Sequence, residues 1–315
     1  MNAQIHRGNT SMRSHRHSKS SAGAPDGEPD TSAARDGKQT VDSRAYAFAY
    51  LIREPSQLPA DFNVEQDFEY ALFLPRELVP RFETPRYEPR LLLAWPDRLS
   101  LYAHPSCGLR KTTIHFADIS YIEIERFLAD CSLMLVTPRG VLHLPFHGRD
   151  EEYVGTFLRH IQQPLLSISK RPRLLCDQRA FGPEPDFKFE QIEAIMKVDA
   201  EAVVTRFFVP PREVVKPRLF RQEFSWTFGS EIVLTRNELY LFSDDKDGYR
   251  QLYGFRASWV PLRNIVDIVF NGTPQSIAIQ LLGDFSLKVP VPSDLLGEAK
   301  KFVPFVRKQI RSCHS

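Results

Sequence analysis

The chain has 315 residues, 41 Lys and Arg against 39 Asp and Glu, and 42% hydrophobic residues. That is enough apolar material for the cores of two ordinary domains, and too much charge for a membrane-embedded protein. A formal net charge of +2 is far from the basic excess through which nucleic-acid-coating proteins gain affinity from phosphates, so nucleic acid is not an expected partner.

Residues 1–44 hold almost no aliphatic or aromatic side chains and cannot offset the entropy of ordering, so a disordered tail is expected there. Arg7, Arg13, Arg16 and Lys19, with His6, His15 and His17, precede the first acid, Asp26. The tail carries seven Lys and Arg and five Asp and Glu, so the net charge belongs to it and residues 45–315 are neutral. It reads as a solvated segment rather than an arm for anions. No apolar stretch near Met1 has the form of a secretory signal, and the run Ala45–Ile52, bracketed by Arg44 and Arg53, is too short to span a bilayer. Cys107, Cys131, Cys176 and Cys313 form no Cys-x-x-Cys pair and read as free thiols in a reducing compartment. A soluble cytoplasmic protein is expected.

The remainder contains an internal repeat. Pro75-Arg76-Glu77-Leu78-Val79 returns as Pro211-Arg212-Glu213-Val214-Val215, 136 residues on. Leu99-Ser100-Leu101-Tyr102 returns as Leu239-Tyr240-Leu241-Phe242, 140 on. Phe116-Ala117-Asp118-Ile119 returns as Leu262-Arg263-Asn264-Ile265, 146 on. Leu144-Pro145-Phe146 answers to Val289-Pro290-Val291, and Phe157-Leu158-Arg159 to Phe305-Val306-Arg307, at offsets of 145 and 148. The period is too long for a solenoid unit, so each copy should be a domain in its own right. The expected division is a tail at 1–44, copy one at 45–163 with its core at 90–163, a linker and leading segment at 164–224, and copy two at 225–315.

Within each copy the rhythm is that of strands. Leu99 and Leu101 alternate with Arg98, Ser100 and Tyr102; Phe285, Leu287, Val289 and Val291 alternate with Asp284, Ser286, Lys288 and Pro290. Both patterns predict half-buried strands. Pro96-Asp97, Pro138-Arg139-Gly140, Arg236-Asn237 and Gly283-Asp284 are turn signals, so the strands should form hairpins in antiparallel sheets. Each copy closes on a helical period: Tyr153, Val154, Phe157, Leu158 and Ile161 in the first, and Leu295, Ala299, Phe302, Val303, Val306 and Ile310 in the second. Ser293 is placed to cap the second helix, and Pro304 should kink or shorten it. The expected fold class is α+β and β-dominated, two small antiparallel barrels each capped by a C-terminal helix.

Val233-Leu234-Thr235-Arg236-Asn237-Glu238-Leu239-Tyr240-Leu241, Pro261 to Ile268 and His115 to Ile122 resemble the hairpin and the later polar-Ile step of bacterial pleckstrin-homology-like and GRAM-like domains. The resemblance covers about residues 90–163 and 225–311. It implies ligand, lipid or protein binding without catalysis. The turns that match the family's phosphoinositide-binding hairpin hold Arg98 in copy one and Arg236 in copy two, one cation each.

Candidate binding residues come from a second pattern. Pro-Arg recurs so that Arg76, Arg81, Arg86 and Arg90 lie on one stiff, extended segment, and copy two has Arg212, Lys216, Arg218 and Arg221. These form an anion- or partner-binding ridge, or a charged connector paired with Glu77, Glu83 and Glu88. His104, Cys107, His115, Cys131, His143 and His147 gather in copy one, but Pro145 breaks the spacing of the last two histidines, and they read as scattered strand-end residues rather than a metal site. The loop Ser243 to Gly248 lacks the acid at position 254 that a calcium loop needs. No hydrolase elbow, phosphate loop, zinc-protease or dinucleotide motif occurs, and no cofactor or metal is expected.

The expected function is therefore a non-catalytic binding or scaffold protein for a protein partner or for itself as a homo-oligomer. One alternative is a peripheral membrane protein that touches anionic headgroups through the Pro-Arg segments. Another is a hydrolase using the His and Cys residues of copy one, for which Cys107→Ala or His143→Ala would be the test.

Overall fold

Two series of elements in the same order run through residues 70–167 and 203–314 of the computed structural model, which describes residues 49–75, 77–78, 85–103, 109–127, 129–167, 179–218, 221–227, 229–244 and 254–314. Both belong to one contact unit, residues 42–315. The tail at 1–44 lies outside the described residues.

In the first series β1 (Tyr50–Ile52) pairs with β2 (Tyr70–Leu74). A short hairpin of β3 (Glu77–Leu78) and β4 (Pro85–Tyr87) follows, then β5 (Arg90–Ala94), β6 (Arg98–Ala103) and β7 (Arg110–His115). The sheet order is β1-β2-β5-β6-β7. A 3-10 turn at Phe116–Asp118 leads to β8 (Tyr121–Phe127), β9 (Asp130–Thr137), β10 (Gly140–His147) and helix α1 (Glu151–Ser167).

The second series is preceded by β11 (Arg179–Phe181) and α2 (Phe187–Met196). It then repeats the first: β12 (Val203–Val209), the hairpin β13 (Arg212–Arg218) and β14 (Arg221–Thr227), β15 (Ser230–Thr235), β16 (Glu238–Asp244) and β17 (Gly254–Pro261). A 3-10 turn at Leu262–Asn264, β18 (Ile265–Gly272), β19 (Gln275–Leu281), β20 (Ser286–Pro290) and α3 (Leu296–His314) complete it. The first strand of this series lies inside residues 164–224, the segment read from sequence as linker and leading segment of copy two.

Every turn expected from sequence separates two paired strands, and hydroxyls fix two of them. Thr137 Oγ1 accepts from Arg139 N at 3.3 Å and donates to Gly140 O at 2.9 Å. Thr235 Oγ1 accepts from Glu238 N at 3.2 Å and donates to Glu238 O at 3.1 Å. This side-chain substitute for a backbone turn bond is what favours Thr there.

Among the described residues the sheets are antiparallel, apart from the parallel pair β11 and β12, and none closes into a barrel. The expected barrels are thus corrected to open sheets. The physical reason is β17, which pairs with β8 through six residue pairs from Gly254↔Phe127 to Trp259↔Ile122. The second sheet of the first series and the first sheet of the second become one eight-stranded sheet, β10-β9-β8-β17-β16-β15-β12-β11.

The helices show how faithfully the repeat is kept. Val154, Phe157, Leu158, Ile161 and Leu165 of α1 are buried, and so are Ala299, Phe302, Val303, Val306 and Ile310 of α3. The offset is 145 at all five, so Phe157 corresponds to Phe302, and the sequence pairing of Phe157 with Phe305 was one helical turn out. Tyr153 is exposed and does not belong to the stripe. Pro304 does not end α3: both it and Lys300, whose carbonyl it cannot serve as a donor, are exposed. Ser293 opens a 3-10 turn ahead of α3, with Pro292 in the capping position.

Two strand faces are more buried than alternation suggested. Ser100 and Tyr102 are buried like Leu99 and Leu101. Leu72, Leu74, Leu92, Leu99 and Leu101 face the main core, while Ala71, Phe73, Leu91, Leu93 and Tyr102 pack with Ile52, Phe62 and Phe68 from the segment before β2. In the second series α2 takes that covering part, placing Phe189 and Ile192 in the cluster of Phe208, Val233, Tyr240 and Phe242. Asp186 starts this helix by accepting from Lys188 N and Phe189 N at 3.1 and 3.2 Å. The half of β20 read from sequence holds: Val289 and Val291 are buried and Ser286, Lys288 and Pro290 exposed.

Candidate partner-binding site

Because the strands β2 and β5, and likewise β12 and β15, pair side by side, the hairpins β3–β4 and β13–β14 between them occupy equivalent places in the two series. These hairpins carry the Pro-Arg residues. Arg76 and Arg81 lie outside the described residues, and Arg86, Lys216, Arg218 and Arg221 are described as backbone only. The register of the second hairpin sets Lys216 opposite Glu223 and Arg218 opposite Arg221, next to the turn.

The remaining two cations have internal partners. Arg90 is buried in β5 and its guanidinium donates to the Pro145 carbonyl at 2.6 Å, tying the first sheet to β10. Arg212 pairs with Asp294 in the turn before α3, which raises the arginine and lowers the aspartate. Of the eight candidates, Arg90 and Arg212 brace the hairpin bases, while the backbone of Lys216, Arg218 and Arg221 forms the outer part of the second hairpin.

Among the described residues, the copy-one histidines and Cys131 do not converge. Cys131 is buried in β9, and burial pushes its thiol up to about 12, with Glu151 adding to the effect. His115 and His143 are exposed, and His147 Nδ1 accepts from Arg149 N at 3.1 Å. His104 and Cys107 lie outside the described residues. Among the described residues no group of three His, Cys, Asp or Glu could hold a metal ion, and no helix is long and apolar enough to cross a membrane.

Sequence reading missed the buried charges. Asp244, read as part of a polar loop, is buried, accepts from Gly229 N at 2.9 Å and pairs with Lys188 of α2; burial still raises its carboxyl. Residues 245–253 of that loop lie outside the described residues. Glu231 is 0% exposed. Burial, with Glu193 beside it, pushes its carboxyl well above the usual carboxylate range although Arg206 opposes this. Arg206 donates to Glu193 at 2.6 Å and stands 3.8 Å from Glu231. Arg206 and Glu193 thus tie α2 to the strand that carries Glu231. Nothing in the strand alternation distinguishes Glu231 from an exposed strand residue; α2 creates its burial.

The junction between the series is built from the same kind of contact. Arg256 of β17 reaches Glu123 at 3.2 Å and Glu125 at 2.7 Å on β8, and Ser258 Oγ donates to Glu123 at 2.9 Å. Asn264 donates to the carbonyls of Ile119 and Ser120, both at 2.8 Å. Compared with family models, curated proteins and solved structures, the chain matches none.

Proposed function

We propose that the chain is a non-catalytic binding protein made of two pleckstrin-homology-like units in the form of open sandwiches, fused through a shared sheet, that presents both units to a protein partner. The observation that carries this reading is the repeated order of first sheet, 3-10 turn, three strands and helix, with the second unit locked to the first along β8 and β17. A duplicated surface held at fixed spacing gains affinity through effective concentration once the partner engages both halves.

The experiment is affinity capture from native lysate with the wild-type chain and with an Arg218→Glu/Arg221→Glu variant. A discrete protein recovered by the first and lost by the second is the expected result. Capture of no protein by either overturns the reading.

The pairing of Arg218 with Arg221 favours a second reading, anionic lipid headgroups at the hairpin end. Sedimentation with phosphatidylserine vesicles decides it: pelleting that persists at physiological salt supports lipid binding, and none removes it.

A further inference from the structure

Helix α2 is held to its sheet by few apolar side chains. Of its ten residues only Phe189 and Ile192 are buried, while Phe187 and Ile195 are exposed. Its other anchors are charged: Lys188 pairs with Asp244 of β16, and Glu193 accepts from Arg206 of β12 at 2.6 Å. The strands on either side of the helix in sequence, β11 and β12, pair with each other from Arg179↔Thr205 to Phe181↔Phe207. Gly182 at φ 82° and Lys197 at φ 53° stand in the connections between these strands and α2. An element with few buried apolar contacts opens at a lower free energy than the core around it, and here both strands keep their pairing while the helix lifts.

Glu231 lies under this helix, opposite Phe208 of β12 and Phe242 of β16 in the strand register and so on the same face of the sheet. Neither of its carboxyl oxygens receives a hydrogen bond from an N–H group or a hydroxyl. The charged groups around it come from three elements: Asp186, Lys188 and Glu193 of α2, Arg206 of β12 and Asp244 of β16. β17, which also meets α2, adds Phe255 and Ala257 to the shared cluster. Lys188 is paired with Asp244, so the Arg206 guanidinium stands between two carboxyls, bonded to Glu193 and 3.8 Å from Glu231. A second buried negative charge there has no counter-charge of its own, and the pair therefore holds a proton while α2 is down.

From this arrangement we infer that α2 is a proton-operated cover: it lies on the sheet while the Glu193 and Glu231 pair holds a proton, and it lifts when that proton leaves. Loss of the proton sets two carboxylates against each other in a buried place, and lifting the helix relieves this by letting water reach Glu231 and the face of Phe208 and Phe242. The sign follows from linkage. Burial and the neighbouring Glu193 raise the Glu231 carboxyl only while the helix covers it, so opening releases a proton and is favoured as pH rises. The cover is held fully below about pH 4 and weakens through the interval up to the raised value. Asp244, also raised by burial, adds in the same sense. The device operates whatever partner the chain binds.

The test is native-state hydrogen exchange of the full chain, read at the Ile192 and Ile195 amides of α2 and at the Ala257 amide of β17. The two helix amides should be at least tenfold less protected than Ala257 and insensitive to low urea, because only α2 opens. After correction for intrinsic exchange, their protection should fall about tenfold per pH unit between about pH 5 and pH 7, one proton being released at each opening. Glu231→Gln, which has no proton to release, should flatten this slope and keep the helix protected. Glu193→Gln, which leaves Arg206 to serve Glu231 alone, should cut the slope to about threefold per unit or less. The two variants are separate readings of the same pair, and either one suffices if the other does not fold. Equal protection of Ile192 and Ala257 at every pH overturns the inference, because α2 then never opens apart from the core. A flat wild-type profile, or a slope that persists in either variant, overturns it as well.

Discussion

Arg256 of β17 donates to Glu125 of β8 at 2.7 Å across the boundary between the two repeats, and its Nε lies 3.2 Å from Glu123. Neither carboxylate belongs to the repeat that supplies the arginine. Glu123, with Ser258 beneath it, is nearly removed from solvent. Removing the arginine takes the opposite charge from a carboxylate that stays buried, the costly half of an ion-pair deletion. Because Arg256 is itself partly exposed, Arg256→Ala should lower the stability of the whole chain by about 1–2 kcal/mol. The urea midpoint is the measurement, and in a double-mutant cycle Glu123→Gln should recover part of the loss.

Gly283, in the turn after β19, has φ 82°, and a Cβ there would stand 2.9 Å from Pro138 Cγ of the facing turn in the other repeat. Gly283→Ala should cost about 1–2 kcal/mol, through both the backbone and the displaced ring. Gly297, at the start of α3, has open space around its Cβ position, and Ala there should stabilise by about 0.5 kcal/mol. Thermal unfolding of the two variants should shift in opposite directions.

Glu231 makes stability depend on pH. Its folded pKa lies above the value of about 4.3 found in an unfolded chain, so the folded state holds the proton through the interval between them. The contribution is fully present below pH 4 and is lost as pH rises through the folded pKa. Asp244 and Glu151, also raised by burial, add in the same sense. Glu231→Gln, a neutral shape match, should raise the melting temperature at pH 8 by roughly 3 °C or more and leave it unchanged at pH 4.

The Cys131 thiol should resist alkylation. Burial holds it protonated, with a pKa pushed up to about 12, and only the thiolate reacts. Iodoacetamide at pH 8 should leave Cys131 unmodified in the native chain and modify it in urea, as peptide mass spectrometry would show.

How much of this the sequence disclosed depends on whether the residues carried their own signal. The helix stripes were readable because Val154, Phe157, Leu158 and Ile161 recur at helical spacing, and Ala299, Phe302, Val303 and Val306 repeat it. The turns were readable because Thr137 and Thr235 close them locally. The offset error of Phe157 against Phe305 arose because a helix shifted by three residues still presents a plausible face. Phe302→Ala should therefore cost about 3–5 kcal/mol, like Phe157→Ala. What escaped were long-range relations. Neither the covering of Tyr102 by the segment before β2, nor the burial of Glu231 under α2, nor the pairing of β17 with β8 leaves a local pattern. The Pro-Arg candidates were readable as a motif, but whether an arginine reaches Pro145, as Arg90 does, or lies near a hairpin end is set by strand register.

The central claim is that the two repeats are one body joined along β8 and β17. Native-state hydrogen exchange in increasing urea measures this directly. The amides of Ile124 in β8, Ala257 in β17, Phe157 in α1 and Phe302 in α3 should lose protection in a single step, with one free energy. Separate steps, in which Phe302 remains protected after Ile124 and Phe157 have exchanged fully, would contradict it.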